Sequence, residues 1–165
     1  MSSASPADAF KVISGKEAKA GSWMICNLDS KKKVEVFAQG VGLGDLKTKF
    51  PELEDKVAWV GFNVHGVDER ANVQSTRFKL VQINWVGPKV TSMKKMNALA
   101  GKSKIAKVFK GMAATFDIDS VEDLTVKSIS SKLLAAGGAH KPTYYLFGSA
   151  EDEKFALEFY DPANK

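Results

Sequence analysis

Two runs, "KVAWVGFNV" at 56–64 and "RFKLVQINWV" at 77–86, constrain this chain more than any other feature. Both are rich in the β-branched and aromatic residues that favour strands. Both are apolar enough on their two sides to be central strands, which are stable only with cover above and below. The expected architecture is therefore α+β and sandwich-like, a central mixed β-sheet flanked by helices on both faces. The segment between the runs, "HGVDERANVQST" at 65–76, is polar and turn-rich and reads as a loop. At 165 residues the chain fits one domain with an ordinary core.

The remaining elements follow from caps and periods. Ser5 reads as an N-cap, with Pro6 at the first helical position and Asp8 completing a box-like pattern, so a short helix opens the chain. "SWMICNL" and "KVEVFAQ" read as a hairpin around Asp29-Ser30-Lys31-Lys32. Leu43, Leu46 and Phe50 fit a short helix stopped before Pro51. Gly40, Gly42 and Gly44 miss the dinucleotide-binding spacing and read as a loop. After Trp85 the period becomes helical. Met93, Met96, Ala100, Ile105, Val108 and Met112 form an apolar stripe that reads as core, with lysines on the other sides. Gly101 inside it costs about 1 kcal/mol against alanine, so a kink or break is expected there. "FDI" reads as a brief strand. "SVEDLTVKSISSKLLAAGG" reads as a helix capped by Ser120 with Asp123 and ended by Gly137-Gly138. "TYYLFG" and "KFALEFY" supply two last strands around an acidic turn at 149–153.

Charge is unevenly placed. The net charge is +5, yet from Arg70 to Phe116 there are ten cations and no acidic residue, so the flanks together are acidic. Spread over a strand and a helix, such a block steers the molecule toward acidic partners. Gly101-Lys102-Ser103 resembles the end of a phosphate-binding loop, but Met96 stands where the first glycine is needed and no strand leads in. Nucleotide hydrolysis is therefore not expected. The single cysteine, Cys26, lies in an apolar run and reads as a buried inert thiol, which suits a reducing compartment. His65 and His140 belong to no spaced ligand set, so no metal site is expected. The N-terminal stretch lacks the pattern of a secretory signal and no apolar run approaches bilayer length, so the cytoplasm is the expected location.

The element order, together with "FKLVQINWVGPKVTSMKKMNALAGKSKIAKVF" and "SSKLLAAGG", resembles the actin-depolymerising-factor homology (ADF-H) domain of the ADF/cofilin family, over roughly residues 5–148. "STRFKLVQINWVG" is similar to the coactosin-like branch, with its Ser-x-Arg-x-Lys strand ending in Trp-aliphatic-Gly, and "AGGA" at 136–139 is similar to that branch's helix terminus. The resemblance implies a non-enzymatic protein without cofactor that binds actin filaments in the cytoskeleton. It places Lys79 on the strand lysine used at the filament, and Arg77 shares its side of the strand by the period of two. The cofilin-like members use a Lys-x-Lys-Met pattern on the long helix, which here reads Met93-Lys94-Lys95-Met96. Lys94, Lys95, Met96 and Lys102 on that basic helix join the expected actin contacts. The lost first lysine favours filaments over monomers and binding without disassembly. Residues 149–165 extend past the usual end of the coactosin-like chains with no assigned role, and Ser2 and Ser3 resemble the regulatory serines of cofilins by position.

Three alternatives remain beside this reading. One is a cofilin-like severing factor. Another is a phosphoinositide-bearing or other anionic-lipid surface, which fits the same lysines. The third is nucleic acid, which is disfavoured because Trp59, Phe62, Phe78 and Trp85 all sit in apolar strand patterns and are expected to be buried rather than free to stack. The expected state is a monomer.

Overall fold

The computed structural model describes residues 5–70, 73–136 and 142–157. Chain order is α1 (Pro6–Ser14), β1 (Ser22–Leu28), β2 (Val34–Val41), α2 (Leu43–Lys47), β3 (Val57–Arg70), β4 (Val73–Val86), α3 (Ser92–Leu99), α4 (Lys102–Val108), β5 (Met112–Ile118), α5 (Val126–Ala136), β6 (Tyr144–Leu146) and β7 (Lys154–Ala156). The main sheet runs β2-β1-β3-β4-β5, antiparallel except for the parallel pair β4–β5. It has helices on both faces, as the apolar runs require.

One face carries Ala58, Val60, Phe62 and Val64 of β3 with Val81, Ile83 and Trp85 of β4, under α2, a 3-10 turn at Phe50–Leu53, and α5 through Ile129 and Leu133. The Trp85 indole N–H donates to the Leu53 carbonyl at 2.8 Å, and its ring lies 4.6 Å from that of Phe50. The opposite face carries Met24, Cys26, Trp59 and Leu80 under Ala9 and Ile13 of α1, Ile105 of α4, and Phe109.

Local chemistry fixes the ends. Ser5 Oγ accepts from the Asp8 N–H at 3.1 Å, as expected for the first helix. In the β1–β2 turn, Asp29 Oδ1 accepts from the N–H groups of Lys31 and Lys33 at 2.8 and 2.9 Å. Those bonds, that of Lys33 foremost, hold the Asp29 carboxyl below its ordinary range. The glycines at 40 and 44 lie in β2 and α2 rather than in a loop. Phe50 and Pro51 open the 3-10 turn instead of ending a helix. The helix expected from Ser120 is split. Ser120 caps only a 3-10 turn, Val121–Asp123, by accepting from Glu122. Thr125 and Ser128 then cap each other, hydroxyl to backbone N–H at 3.0 and 3.1 Å, and α5 starts from there. Its expected end at Gly137-Gly138 lies outside the described residues. "FDI" is the last part of a seven-residue strand.

The largest correction concerns 65–76, expected as a loop. β3 and β4 each have 14 residues and pair in unbroken register from Val57↔Val86 to Arg70↔Val73. β1 leaves β3 beyond Phe62, and β5 begins opposite Leu80. The two strands therefore project past the body as an arm. Its side chains are polar because most face water, while its backbone is paired in the ordinary way. Polarity recorded exposure here, not the absence of a strand. β6 adds to β3 at 65–67 and β7 adds to β6, so part of the C-terminal segment joins the same sheet, and Leu157 is buried in the core.

Candidate functional site

The helix after β4 breaks at the expected place. α3 ends at Leu99 and α4 begins at Lys102. A Cβ on Gly101 would lie 2.9 Å from the Trp59 ring and 3.0 Å from Leu28, so glycine lets the chain settle on the tryptophan. Thr91 caps α3 by accepting from the Lys94 N–H at 3.2 Å.

The apolar stripe read as core does not hold together. Ile105 is buried and Val108 half-buried, and Met112 lies half-buried in β5. Ala100 is exposed, Met93 is 73% exposed and Met96 71%, and Leu99 beside them is 61% exposed. No residue of α3 is buried. Lys94 and Ala98, four apart, form the side toward the sheet, with Lys94 Nζ 3.3 Å from the Asp55 carbonyl and 3.9 Å from its carboxylate. Met93 and Met96 consequently point away, and Leu99, though exposed, edges the second groove. Grooves of about 500 and 460 Å³ flank the helix, sharing Val57, Trp59 and Ala98 as lining. α3 thus stands on the sheet as a ridge.

A basic field surrounds that ridge. Lys95, Lys102, Lys104, Lys107 and Lys110 are exposed, and α3 and α4 contain no acidic residue. Lys104 Nζ donates to the Lys32 carbonyl, fastening α4 to the β1–β2 turn. Among the described residues, the salt bridges that involve Lys94 and Lys89 are both exposed, and Lys95 and Lys102 enter none.

Arg77 and Lys79 lie on the arm. Lys79, near the start of the run read as a strand at 77–86, lies midway along β4 opposite Val64, where the strand leaves the cover of β5. Arg77 is exposed and Lys79 half-buried, and among the described residues neither forms a salt bridge. By strand alternation they share the face of Val81 and Ile83, whereas α3 and α4 cover the other face. The six expected residues are therefore not one patch. Lys94, Lys95, Met96 and Lys102 lie on the α3 and α4 side, Lys94 in one groove and Lys95 and Lys102 in the other, while Arg77 and Lys79 sit on the opposite side of the sheet.

Phe78 corrects a further expectation. It is 43% exposed, on the α3 and α4 side of the arm opposite His65, while Trp59, Phe62 and Trp85 are buried as expected. The available signal was its strand neighbours on that side, Gln74 and Thr76, which are polar. Burial lowers the His65 pKa, against the smaller raising effect of the hydrogen bond its imidazole donates to the Ala18 backbone carbonyl. The buried Cys26 thiol is pushed up to about 12, far from nucleophilic use. Among the described residues no helix is long and apolar enough to cross a membrane.

The sequence of residues 3–134 matches the cofilin/tropomyosin-type actin-binding proteins, the ADF/cofilin family. The chain belongs to that family. Solved structures of this fold agree. Coactosin from Entamoeba histolytica is 18% identical, with a TM-score of 0.66 over 81% of this chain and 94% of its own. Human coactosin-like protein is 20% identical, with a TM-score of 0.66 over 83% of this chain and 89% of its own. Mouse coactosin, described as an actin filament binding protein, is 22% identical, with a TM-score of 0.59 over 80% and 87%. No curated protein matches the chain in sequence. The ADF-H fold, actin-binding family and coactosin-like shape expected from the sequence are thus in place, and the matched segment holds β1 to β5 with helices of both layers.

Proposed function

We propose that this protein binds the sides of actin filaments as a coactosin-like monomer in the cytoplasm, without catalysis and without disassembling the polymer. The observation that carries the reading is the exposed row Met93, Met96 and Leu99 on a helix that buries none of its residues. A contiguous apolar row facing water is costly unless a partner covers it, and here it is ringed by unneutralised lysines. An acidic surface with an apolar cleft fits that combination. Arg77 and Lys79, on the other side of the sheet, suit a second acidic surface. A filament offers two neighbouring subunits, whereas a lone monomer offers one.

Met93 stands where the cofilin-like pattern has its first lysine, and this supports filament binding over severing. The same basic, apolar ridge suits a phosphoinositide-bearing membrane, which would then compete with actin for Lys95 and Lys102.

The test is co-sedimentation with actin filaments beside a polymer-mass assay. The expected outcome is pelleting with filament mass unchanged. Lys79→Glu should weaken pelleting about tenfold or more, in the range of a desolvated charge placed against its like. Loss of polymer on addition of the protein would establish the severing reading instead. Unchanged pelleting of folded Lys79→Glu would remove the arm from the contact.

A further inference from the structure

Residues 142–157 lie beyond the part of the chain that matches the family, and they grip the projecting arm. β6 adds to the edge of β3, pairing His65, Gly66 and Val67 with Leu146, Tyr145 and Tyr144. The Thr143 N–H donates to the Val67 carbonyl at 2.8 Å, and the Thr143 hydroxyl accepts from the Glu69 N–H at 3.0 Å. The Tyr144 hydroxyl donates to Glu69 Oε1 at 3.0 Å. Gln74 Nε2 donates to that same oxygen at 3.1 Å and to the Tyr144 hydroxyl at 3.3 Å. Lys154 Nζ lies 4.2 Å from the centre of the Tyr144 ring. Glu69 and Gln74 face each other across β3 and β4, so this cluster ties both strands of the arm to the hairpin.

The hairpin's other end is fixed in the body. Phe147 and Leu157 are buried in the core. The Phe147 carbonyl accepts from the Leu43 N–H at 2.9 Å, and the Glu153 carboxylate accepts from the Gly44 N–H at 2.9 Å. Contacts therefore run without interruption from α2 to the arm.

A two-stranded ribbon without other support is marginally stable in water. Arg77 and Lys79 lie within this ribbon, and ordering them at the moment of binding would cost affinity. We infer that the C-terminal hairpin is a brace, with Thr143 and Tyr144 as positioning residues that hold Arg77 and Lys79 ready for an acidic partner surface. This rests on the filament-binding reading above.

The experiment uses the full chain carrying Thr143→Val and Tyr144→Phe, two substitutions that keep shape and remove only the bridging hydroxyls. Amide hydrogen exchange is read in the arm and, as a core reference, at Val60 and Ile83, and filament affinity is read by co-sedimentation. Exchange in the arm should rise about tenfold with the core unchanged, and filament affinity should fall about fivefold, the scale of one or two lost hydrogen bonds. In an Arg77→Ala/Lys79→Ala background the same pair should cost no further affinity, since the brace acts through those cations. Unchanged arm exchange would overturn the bracing role of Thr143 and Tyr144. Faster arm exchange with unaltered filament affinity, or losses that simply add, would overturn the positioning role. Failure of the wild-type chain to pellet would instead refute the filament reading, and the exchange data would still decide whether the hairpin holds the arm.

Discussion

Gly101 costs helix propensity and gains packing. Propensity alone makes Gly101→Ala favourable by about 1 kcal/mol. The added Cβ, however, would meet the Trp59 ring at 2.9 Å, and an indole wedged under two helices yields less than a flexible chain end. The variant is expected to be less stable by about 1–2 kcal/mol, the usual scale of overpacking, as measured by urea unfolding. A more stable Gly101→Ala protein would show that the contact is slack. His65 gives a pH signature at the same scale. Its folded pKa is lowered by burial, so the unfolded chain takes up the proton first as pH falls. Its contribution is complete above the unfolded value near about 6.5 and is lost as pH drops through that value toward the folded one. The melting temperature should decline from pH 7 to pH 5.5, roughly the window set by imidazole titration, and His65→Gln should flatten that decline. An identical slope in the variant would assign the effect elsewhere.

At the scale of elements, α2 depends on a side chain distant in sequence. Its N-cap residue, Gly42, has no side chain to offer, and the orphan N–H of Gly44 is met by the Glu153 carboxylate. The same carboxylate accepts from the Ala150 N–H at 3.2 Å, which closes the turn before β7. Glu153→Ala is expected to lower stability by about 1 kcal/mol or somewhat more, as for the loss of an N-cap, read from the denaturation midpoint. A midpoint shift near zero would mean that water replaces the carboxylate at no cost. α3 is the contrasting case. Its Thr91 cap and Gly101 fix where it starts and stops, while none of its residues is buried.

For the whole molecule, cations are concentrated on two helices. α3 and α4 carry a run of lysines and no acidic residue, and the body is held by apolar packing, with Lys89–Glu54 and Lys94–Asp55 as exposed ion pairs. Exposed pairs of that kind contribute little to stability. Raising salt from about 50 to 200 mM should therefore weaken filament binding severalfold through screening while leaving the unfolding midpoint nearly constant. Salt-insensitive pelleting would transfer the main contribution from the lysines to the apolar row Met93, Met96 and Leu99.

The sequence by itself determined the layers, the central strands and the cap of the first helix. Those features are local or periodic: strand formers at 56–64 and 77–86, Ser5 before Pro6, and a helix broken at Gly101. It also determined the family, because the spacing of strand and helix survives in the chain order. The tertiary structure decided which apolar residues are core. Met93, Met96 and Leu99 have the spacing of a buried stripe, yet Lys94 and Ala98 face the sheet and turn them outward. It also decided that the polar stretches 65–70 and 73–76 are paired strand, since strand alternation describes side-chain burial and the arm buries few side chains. The division of the expected contacts between two sides of the sheet depends on which helices cover which face. The cap on α2 joins residues 109 positions apart, a separation that no local pattern records.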